Sequence, residues 1–591
     1  MFFRRLIAGF FIYLWRGFIR LFPARVIRAL ARLLFSKSWG RFRAATADPR
    51  KAQETNLLSI VQRNRYTAFG KEHNFSKIKS IEDFQKNVPI NTYDDLEPYI
   101  RRMTAGEKNI LVSGPVPYFA RTSGTTGPAK YIPINERYLE EFRTGRRVWL
   151  RQVAQAYPKA IRGTILTMQS PRIEGTTEGG TPYGSITVSM GVVDVGRRRR
   201  IRREGSRDVM ESFQKIPISI FYIEDFNTKY YVLLRLAVVA NISMMATINP
   251  STLILICRKL TEFAPDLIRD LEQGTLKEDL KLDPELRKKL EKRMKKNRKA
   301  AARIRASLEQ HGRVRPPDVW KRLCGLVCWK GGAAPFYLKQ FPEWFGDLPA
   351  MDYGFVATEG NFSVVLSTEG SQGVVAVTGH FFEFIPEDRR DEENPPVLTV
   401  DQLEVGGRYY ILVTGSHGLY RYDMNDIVEV VGMYQKTPEI VFCHKGGNMV
   451  SFTGEKIAES QVVQAVSSAQ ESIGVTLNGF CVTVRLDQEH PRYVFAVEPS
   501  GQVSDAKLIE LLETCEKNLQ ESNIEYRAKR TSLRLGNPLL AVVKTGAFEQ
   551  WRREKISAGA FDSHVKTPHL SPDPAVLEAL GVERELDRPP T

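Results

Sequence analysis

Residues 121–135 read Arg-Thr-Ser-Gly-Thr-Thr-Gly-Pro-Ala-Lys-Tyr-Ile-Pro-Ile-Asn, a run that is rich in small and hydroxylated side chains. Glycine lets the backbone turn its amide groups toward a ligand, hydroxyl groups add short donors, and lysine adds a positive point charge. The residues that supply these groups are Ser123, Gly124, Thr125, Thr126, Gly127 and Lys130. Together they are the parts of a phosphate-binding loop, although a stretch of this composition taken alone is equally typical of an exposed surface loop.

The sequence on either side of this loop separates two kinds of nucleotide-binding loop. A Walker-type loop needs Gly-Lys-Ser/Thr that opens directly into a helix. Here Pro-Ala separates Gly127 from Lys130, and the β-prone run 131–134 contains a proline that forbids a continuing helix. Residues 115–120 predict a strand before the loop, and Asn135 is a good N-cap for a helix after it. The order of strand, loop and strand fits the pyrophosphate loop of adenylate-forming enzymes, not that of a kinase or GTPase.

Two later segments are compatible with a nucleotide site. The stretch 351–360 places Tyr353 and Glu359 close together, just after a glycine turn at 330–335. Adenine binds against a flat apolar face, and Mg²⁺ prefers an oxygen anion beside phosphates. Further on, Asp426 precedes an apolar run, where its carboxylate could accept both ribose hydroxyls. A single Asp or Glu usually lies solvated at the surface, so the prediction depends on the order and spacing of all three segments.

These segments, together with 92–100 and 564–568, resemble the auxin-responsive acyl acid amido synthetases, plant enzymes that conjugate auxin or jasmonate to amino acids. That family belongs to the acyl-adenylating superfamily, which includes firefly luciferase and the acyl-CoA ligases. The likeness runs from about residue 45 to about residue 570. Its most specific parts are the hydroxyl loop, Gly-Leu-Tyr-Arg-Tyr before Asp426, and His-Val-Lys-Thr-Pro at 564–568.

The resemblance implies a role for each matching residue of the phosphate end of the site. Ser123, Thr125 and Thr126 would surround the β- and γ-phosphates, between Gly124 and Gly127 and with Lys130 nearby. In the second segment, Thr358 would contact phosphate and Glu359 would be the carboxylate associated with Mg²⁺.

The resemblance also implies the nucleoside contacts and a mobile lysine. Tyr353 would lie beside adenine, Asp426 would bind the ribose, and Lys566 would swing in to assist adenylation. Lys445 stands where plant members carry an arginine, so it is a nucleotide-binding candidate that offers an ammonium group in place of a guanidinium. The chain also departs from the family at Asp423 and Asn425, where plant members carry arginine and glycine.

The implied reaction uses ATP and Mg²⁺ to activate a carboxylic acid. Attack of the acid on the α-phosphorus makes an acyl adenylate and expels pyrophosphate, and lysine, amide N–H groups and Mg²⁺ stabilise the charge that develops on the phosphate oxygens. Transfer of the acyl group to an amine, such as an amino acid, then releases AMP. An acyl-CoA ligase and a non-catalytic membrane-surface scaffold of the same fold are the alternatives. The scaffold is disfavoured, because a protein that binds no ATP has no physical need for the whole set of ATP-directed residues.

The predicted fold is α/β, of the acyl-adenylate-forming kind. A large N-terminal adenylation domain, 45–442, would combine α/β sheets with a small β-rich part that includes 382–430. It would carry one charged helix as an insertion near 281–308. A small mobile α+β C-terminal domain, 443–570, would act as a lid, and 571–591 would be a frayed tail.

The positive charge of the chain is confined to a few segments. The formal net charge is +17, while residues 1–50, 281–305 and 197–203 carry about +10, +9 and +6, so the rest of the chain is mildly acidic. None of these segments interleaves stacking aromatics in a nucleic-acid-binding pattern. We therefore expect no nucleic-acid partner. Nothing in the sequence indicates the oligomeric state.

The first 38 residues have the pattern of a membrane-associating segment. Ten uncharged residues, 6–15, are too few to span a bilayer, and after Pro23 arginines line one face of an apolar helix. Basic amphipathic helices with Phe and Trp bind anionic membrane surfaces. A signal peptide and a helix docked on the protein body are the alternatives. We expect a cytoplasmic protein held peripherally at the membrane, with a hydrophobic acid substrate whose pocket includes the aliphatic segments at 216–260.

Overall fold

The computed structural model describes residues 22–122, 130–168, 173–185, 216–331, 334–446, 449–450, 455, 457–485, 491–531, 535–557 and 567–587. Ser123 to Gly127 and Lys566 lie outside these ranges. The chain divides into two compact units. Unit 1 comprises residues up to 330, 337–424 and 428–441, and unit 2 comprises 331–336, 425–427 and the chain from 442 onward.

Unit 1 is rich in helices that start at side-chain caps. The helices among its described residues are α1 (Ala24–Leu34), α2 (Ser36–Ala47), α3 (Pro49–Asn64), α4 (Ala68–Glu72), α5 (Ile81–Asn87), α6 (Tyr93–Thr104), α7 (Glu136–Ala156), α8 (Phe226–Ala237), α9 (Pro250–Glu262), α10 (Ala264–Gln273), α11 (Pro284–Glu291), α12 (Arg298–His311), α13 (Pro316–Val319), α14 (Ala334–Leu338, shared with unit 2) and α15 (Phe341–Phe345). Asn135 caps α7 as predicted, because its side chain accepts a hydrogen bond from Tyr138 N at 2.9 Å.

The strands of unit 1 form several separate sheets. Within the described ranges they are β1 (Tyr118–Thr122), β2 (Lys130–Ile134), β3 (Thr164–Leu166), β4 (Gly175–Thr176), β5 (Pro182–Gly184), β6 (Ile242–Ala246), β7 (Leu326–Val327), β8 (Ala350–Met351), β9 (Val356–Ala357), β10 (Gly360–Asn361), β11 (Ser363–Val364), β12 (Gly373–Val375), β13 (Phe381–Pro386), β14 (Leu398–Thr399), β15 (Arg408–Thr414), β16 (Tyr422–Tyr434) and β17 (Thr437–Lys445). Part of β16 and the end of β17 cluster with unit 2.

A four-stranded sheet in the order β2-β1-β5-β4 carries the hydroxyl loop. β1 and β2 are antiparallel, with Tyr118 opposite Ile134 and Thr122 opposite Lys130. The loop therefore joins the two strands of a hairpin. The two predicted strands are confirmed, while the residues between them lie outside the described ranges.

A parallel sheet in the order β3-β6-β7-β8 positions the second predicted segment. β7 ends three residues before Lys330, and β8 ends directly before Asp352. The carboxyl ends of neighbouring parallel strands lie at one edge of a sheet, which is where open α/β folds bind ligands. A seven-stranded sheet, β11-β12-β17-β16-β15-β13-β14, supplies the predicted β-rich part. The α/β fold is confirmed.

The aliphatic segments expected to line an acid pocket are mostly buried. Every residue of β6 is buried, and α8 buries residues on all its sides. These elements contribute to the packed interior of unit 1, which is the ordinary role of aliphatic helices and strands.

The charged insertion differs from the single helix that was predicted. It forms two helices, since α11 ends at Glu291 and α12 begins after Asn297, whose side chain caps it through a 3.0 Å hydrogen bond from Ala300 N. Ala300, Ala301 and Ile304 bury one face of α12. Only the opposite face of α12 is solvated. A count of charges along the sequence does not show that one face of a charged helix is buried.

Unit 2 is an α+β unit. Its described elements are β18 (Met449–Val450), β19 (Ile457–Ala458), α16 (Glu459–Ile473), β20 (Leu477–Arg485), β21 (Arg492–Pro499), α17 (Asp505–Ser522), α18 (Ile524–Thr531), β22 (Leu539–Val543), α19 (Ala547–Ser557), α20 (Val576–Leu580) and β23 (Val582–Leu586). The prediction of a frayed tail at 571–591 is wrong for most of that stretch. Leu577 and Leu580 enter the apolar core of the unit, and β23 pairs with β22 in the sheet β20-β21-β22-β23.

Candidate active site

Thr358 and Glu359 form the two-residue turn of the hairpin β9–β10. Ala357 pairs with Gly360 on either side of the turn, and both turn residues are half-buried. The paired strands on either side fix the backbone of this turn, and Thr358 and Glu359 remain partly exposed.

Tyr138 connects this turn to the hydroxyl loop. It lies in the first turn of α7, which follows β2 directly, and its buried hydroxyl donates a hydrogen bond to the carbonyl oxygen of Thr358. Burial, and then the negative charge of Glu359, raise the pKa of Tyr138 well above its usual value. The phenol is therefore a permanent donor, and it ties the Glu359 turn to the element that leaves the loop.

Two buried histidines lie behind Tyr138. The rings of His417 and His380 stack on it at centroid distances of 4.5 and 5.5 Å. Burial, and then the nearby His380, lower the pKa of His417 to about 3, so its ring is neutral at working pH. His380 Nδ1 lies 3.2 Å from Glu141 Oε2, and the same carboxylate accepts a 3.0 Å hydrogen bond from Ser416 N. A layer of buried aromatic rings thus supports the turn.

Replacing Tyr138 with phenylalanine tests this support. The buried carbonyl of Thr358 would lose its donor, and a buried group left without a partner costs about 1–3 kcal/mol. We expect a lower free energy of unfolding in urea and a kcat/KM for ATP reduced by roughly tenfold. Tyr66→Phe is the matched control, because Tyr66 is 68% exposed. Equal values for Y138F and the wild type would contradict the role given to the hydroxyl.

Tyr353 lies beside the same helix, α7, near its middle. Its ring is only 2% exposed and stacks on Trp149 at 5.3 Å, and the Arg146 guanidinium lies 5.3 Å from its centre. Burial lowers the pKa of Arg146 to about 10. Tyr353 is therefore almost wholly covered by protein, and its place beside adenine stays a prediction. Sequence reasoning missed Arg146, because no local pattern marks a buried arginine.

A carboxylate clamp joins the segments that follow β7 and β8. The oxygens of Asp352 accept hydrogen bonds of 2.5 Å from Lys330 N and Gly354 N. Burial raises the pKa of Asp352 to about 6. Trp329 Nε1 adds a 3.1 Å hydrogen bond to Gly354 O. The clamp fixes the backbone on both sides of Tyr353.

The remaining predicted residues fall in different places. Lys130 opens β2 directly after the hydroxyl loop, with its Nζ 5.1 Å from the ring centre of Tyr93, so it shares unit 1 with Tyr353 and Glu359. Asp426 is buried in β16, in the piece 425–427 that clusters with unit 2. Lys445 is the last residue of β17, also in unit 2.

Comparison with known proteins identifies the family of this chain. The GH3 family N-terminal domain matches residues 39–350, the GH3 family central domain matches 373–445, and the GH3 family C-terminal domain matches 460–575. The chain belongs to the GH3 family. The resemblance to the acyl acid amido synthetases is thereby confirmed.

Relatives of this GH3-family chain match it over almost its whole length. The jasmonoyl–L-amino acid synthetase GH3.5 of Oryza sativa subsp. japonica is 25% identical, with coverage of 90% of this chain and 93% of that protein. The 4-substituted benzoates-glutamate ligase GH3.12 of Arabidopsis thaliana is 24% identical, with coverage of 90% and 95%. Among solved structures, the GH3.15 acyl acid amido synthetase has a TM-score of 0.78 at 21% identity and covers 92% of this chain and 95% of its own. This last likeness establishes the fold.

In this GH3-family chain, the Gly-Leu-Tyr-Arg-Tyr motif has a structural role. Arg421 Nε donates to both oxygens of Glu383 at 3.1 and 3.0 Å, and Nη1 donates to the carbonyls of Gln85 and Val88. The side chains of Arg421 and Glu383 are 6% and 1% exposed. Gly418 has a φ of +93°, and a Cβ there would lie 2.7 Å from Leu111 Cβ, so only glycine fits. The motif anchors the start of β16.

Proposed function

We propose that this protein uses ATP to adenylate a hydrophobic carboxylic acid and then transfers the acyl group to an amine such as an amino acid. One observation carries the proposal: Tyr138 holds the Thr358–Glu359 turn to the helix that directly follows the hydroxyl-loop hairpin. Helix α7 thereby supports the phosphate-binding candidates of two distant segments, the hydroxyl-loop hairpin and the Thr358–Glu359 turn. Relatives named as amido synthetases and as an amino-acid ligase favour the same chemistry.

Glu359 is the residue that would hold Mg²⁺. Within the described residues, no group of three or more His, Cys, Asp and Glu side chains could hold a metal ion by itself. A single carboxylate fits Mg²⁺, because this ion usually takes one or two carboxylates and completes its shell with phosphate oxygens and water. When bound, the ion would neutralise charge on the leaving pyrophosphate.

The chain's other residues would position the nucleotide and stabilise charge. Lys130 and the backbone amides of 123–127 would bind the β- and γ-phosphates, where negative charge grows as the α-phosphorus is attacked. Tyr353 would lie against adenine and Asp426 would accept the ribose hydroxyls. Lys566 would approach in the adenylation step and withdraw before the acyl transfer, as part of the mobile C-terminal domain predicted at 443–570.

An acyl-CoA ligase remains the second candidate, because it shares the first half-reaction. Incubating the protein with ATP, a panel of fatty, aryl and indole acids, and either amino acids or CoA separates the candidates when the products are identified by mass. We expect N-acyl amino acids and AMP. Exchange of ATP with pyrophosphate that is supported only by short polar acids would contradict the hydrophobic substrate, and a thioester product would favour the second candidate.

We also propose that the N-terminal segment binds an anionic membrane surface. Among the described residues, no helix is both long and apolar enough to cross a bilayer. Helix α1 docks on the end of α7, where Arg28 Nε donates to Gln155 O at 2.9 Å, and Ile27 and Ala31 are buried. Its outer side carries exposed leucines: Leu30, Leu33 and Leu34. The two sequence interpretations, a docking helix and an interfacial helix, are compatible in this arrangement.

Replacing Leu33 and Leu34 with aspartate tests the membrane contact. These side chains are 74% and 77% exposed, so the change spares the core. Burying a leucine contributes about 1.5–3 kcal/mol, so losing two should weaken binding to phosphatidylserine-containing vesicles by roughly 100-fold. Val405→Asp, at a residue 61% exposed elsewhere, is the control. Unaltered co-sedimentation of the double variant would refute the contact.

A further inference from the structure

A buried carboxylate lies next to the strand that leads into the hydroxyl loop. Glu174, directly before β4, has a side chain that is 6% exposed, and neither carboxylate oxygen accepts a hydrogen bond within the described residues. Among the described residues its cationic partner is Arg121 on β1, with Nη1 3.5 Å from Oε2. Burying a charge is costly unless it is paired and hydrogen-bonded on all sides. This carboxylate is paired with Arg121, but its oxygens are not hydrogen-bonded on all sides.

Arg121 fixes where this pair lies relative to the loop. It is opposite Tyr131 in the β1–β2 hairpin, one residue before Thr122, whose partner is Lys130. Its side chain is 38% exposed, so the guanidinium is partly accessible from solvent as well as in contact with Glu174. The pair therefore offers one negative and one positive group, side by side, at the base of the predicted phosphate loop.

The surroundings keep this carboxylate available for a proton. Three residues lie near Glu174: Arg121 on β1, Tyr131 on β2 and Tyr183 on β5. The backbone N–H of Glu174 donates a 2.9 Å hydrogen bond to the carbonyl oxygen of Tyr183. Burial raises the pKa of Glu174 to about 7, against smaller lowerings by Arg121 and by the nearby backbone of Ser185. A base is most effective when its pKa is close to the working pH.

We propose that Glu174 and Arg121 bind the acceptor of the second half-reaction, an α-amino acid in its zwitterionic form. Arg121 binds the carboxylate of the acceptor, and Glu174 binds its ammonium group and removes one proton. This inference rests on the proposed adenylating function. It assigns the acceptor class, which the sequence leaves open, to two residues outside the nucleotide motifs.

In the acyl transfer, the acceptor nitrogen loses one proton before it attacks and a second one afterwards. The ammonium nitrogen gives a proton to the Glu174 carboxylate, and the freed lone pair attacks the carbonyl carbon of the acyl adenylate. A C–N bond forms, the bond from that carbon to the phosphate oxygen breaks, and AMP leaves with the electron pair. The nitrogen loses its second proton to water, and Glu174 later releases the first one to solvent.

Glu174→Gln tests the base, because glutamine keeps the shape and removes the proton acceptor. We expect amide formation from acid, ATP and amino acid to fall by about 10²–10³-fold at pH 7.5, far more than ATP–pyrophosphate exchange falls. In the wild type, the single-turnover rate of the amide step should rise with pH through about 7, since Glu174 must be ionised. The variant should lack that rise. Glu178→Gln, at an exposed position of the same hairpin, is the matched control.

Arg121→Met tests the carboxylate contact independently. We expect the KM for the amino acid to rise at least tenfold, while the KM for the corresponding primary amine without a carboxylate changes little. If thermal melting shows that E174Q is misfolded, Glu174→Asp replaces it. For that variant we expect a partial loss of amide formation, with a rate that still rises with pH.

The outcomes separate the two proposals. Amide formation by E174Q at the wild-type rate, or an R121M enzyme that still prefers the amino acid over the amine, would overturn the acceptor site. So would equal losses of exchange and amide formation in E174Q, or a wild type that exchanges but acylates only CoA. A wild type that shows no exchange with any acid would overturn the adenylating function itself.

Discussion

Replacing Glu359 with glutamine is expected to lower the rate of ATP–pyrophosphate exchange by about 10²–10³-fold, the usual loss when one group that stabilises transition-state charge is removed. Glutamine keeps the length of the side chain and its place in the β9–β10 turn, but it removes the anion that would hold Mg²⁺. The apparent affinity for Mg²⁺ should fall together with the rate, since the remaining ligands are phosphate oxygens and water. Initial exchange rates measured over a magnesium titration give both quantities.

Glu369→Gln is the control for E359Q, because Glu369 is exposed and lies ten residues further along the chain, outside the hairpin. Thermal melting should show both variants folded like the wild type. An E359Q enzyme with normal exchange and a normal magnesium dependence would remove Glu359 from the proposed site.

Replacing Arg421 with alanine is expected to lower the free energy of unfolding by about 3–5 kcal/mol, because Glu383 would become a buried charge without its partner. The same loss is expected from Glu383→Ala, since the guanidinium would be stranded instead. Replacing both residues with well-packed apolar side chains should cost much less than either single change. Urea denaturation of the two single variants and the double variant gives the coupling between them.

The exposed pair Arg389–Glu392 provides the comparison for this buried pair. Its side chains are 50% and 43% exposed, and exposed pairs of this kind contribute about 0–1 kcal/mol. Arg389→Ala should therefore change stability very little. If R421A were as stable as R389A, the anchoring role of the motif would be wrong.

The local features of the site could be predicted from the sequence, because they depend on neighbouring residues. The hairpin around the hydroxyl loop follows from the proline at 133 and the β-prone run, and the start of α7 follows from Asn135. Glycine turns, caps and strand patterns are all readable over fewer than ten residues.

The contacts that support the site could not be predicted, because they join residues far apart in the chain. Tyr138 and Thr358 are 220 positions apart, and Glu141 and His380 are 239 apart. No local pattern distinguishes a tyrosine that holds an active-site turn from one that only fills the core. Arg421 is the reverse case, since the motif was noticed for the nucleotide and the arginine instead pairs with a distant glutamate.

The length of α7 sets how far any lipid surface would stand from the reacting atoms. Tyr138 lies in its first turn and Gln155, which holds α1, in its last, so about 25 Å of helix axis separates them at 1.5 Å per residue. Electrostatic screening at physiological ionic strength has a decay length of about 8 Å. Headgroup charge at α1 would therefore be almost fully screened at the Glu359 turn. Changing the lipid composition should alter how much enzyme is bound to vesicles and leave the chemistry of each bound molecule as it is in solution.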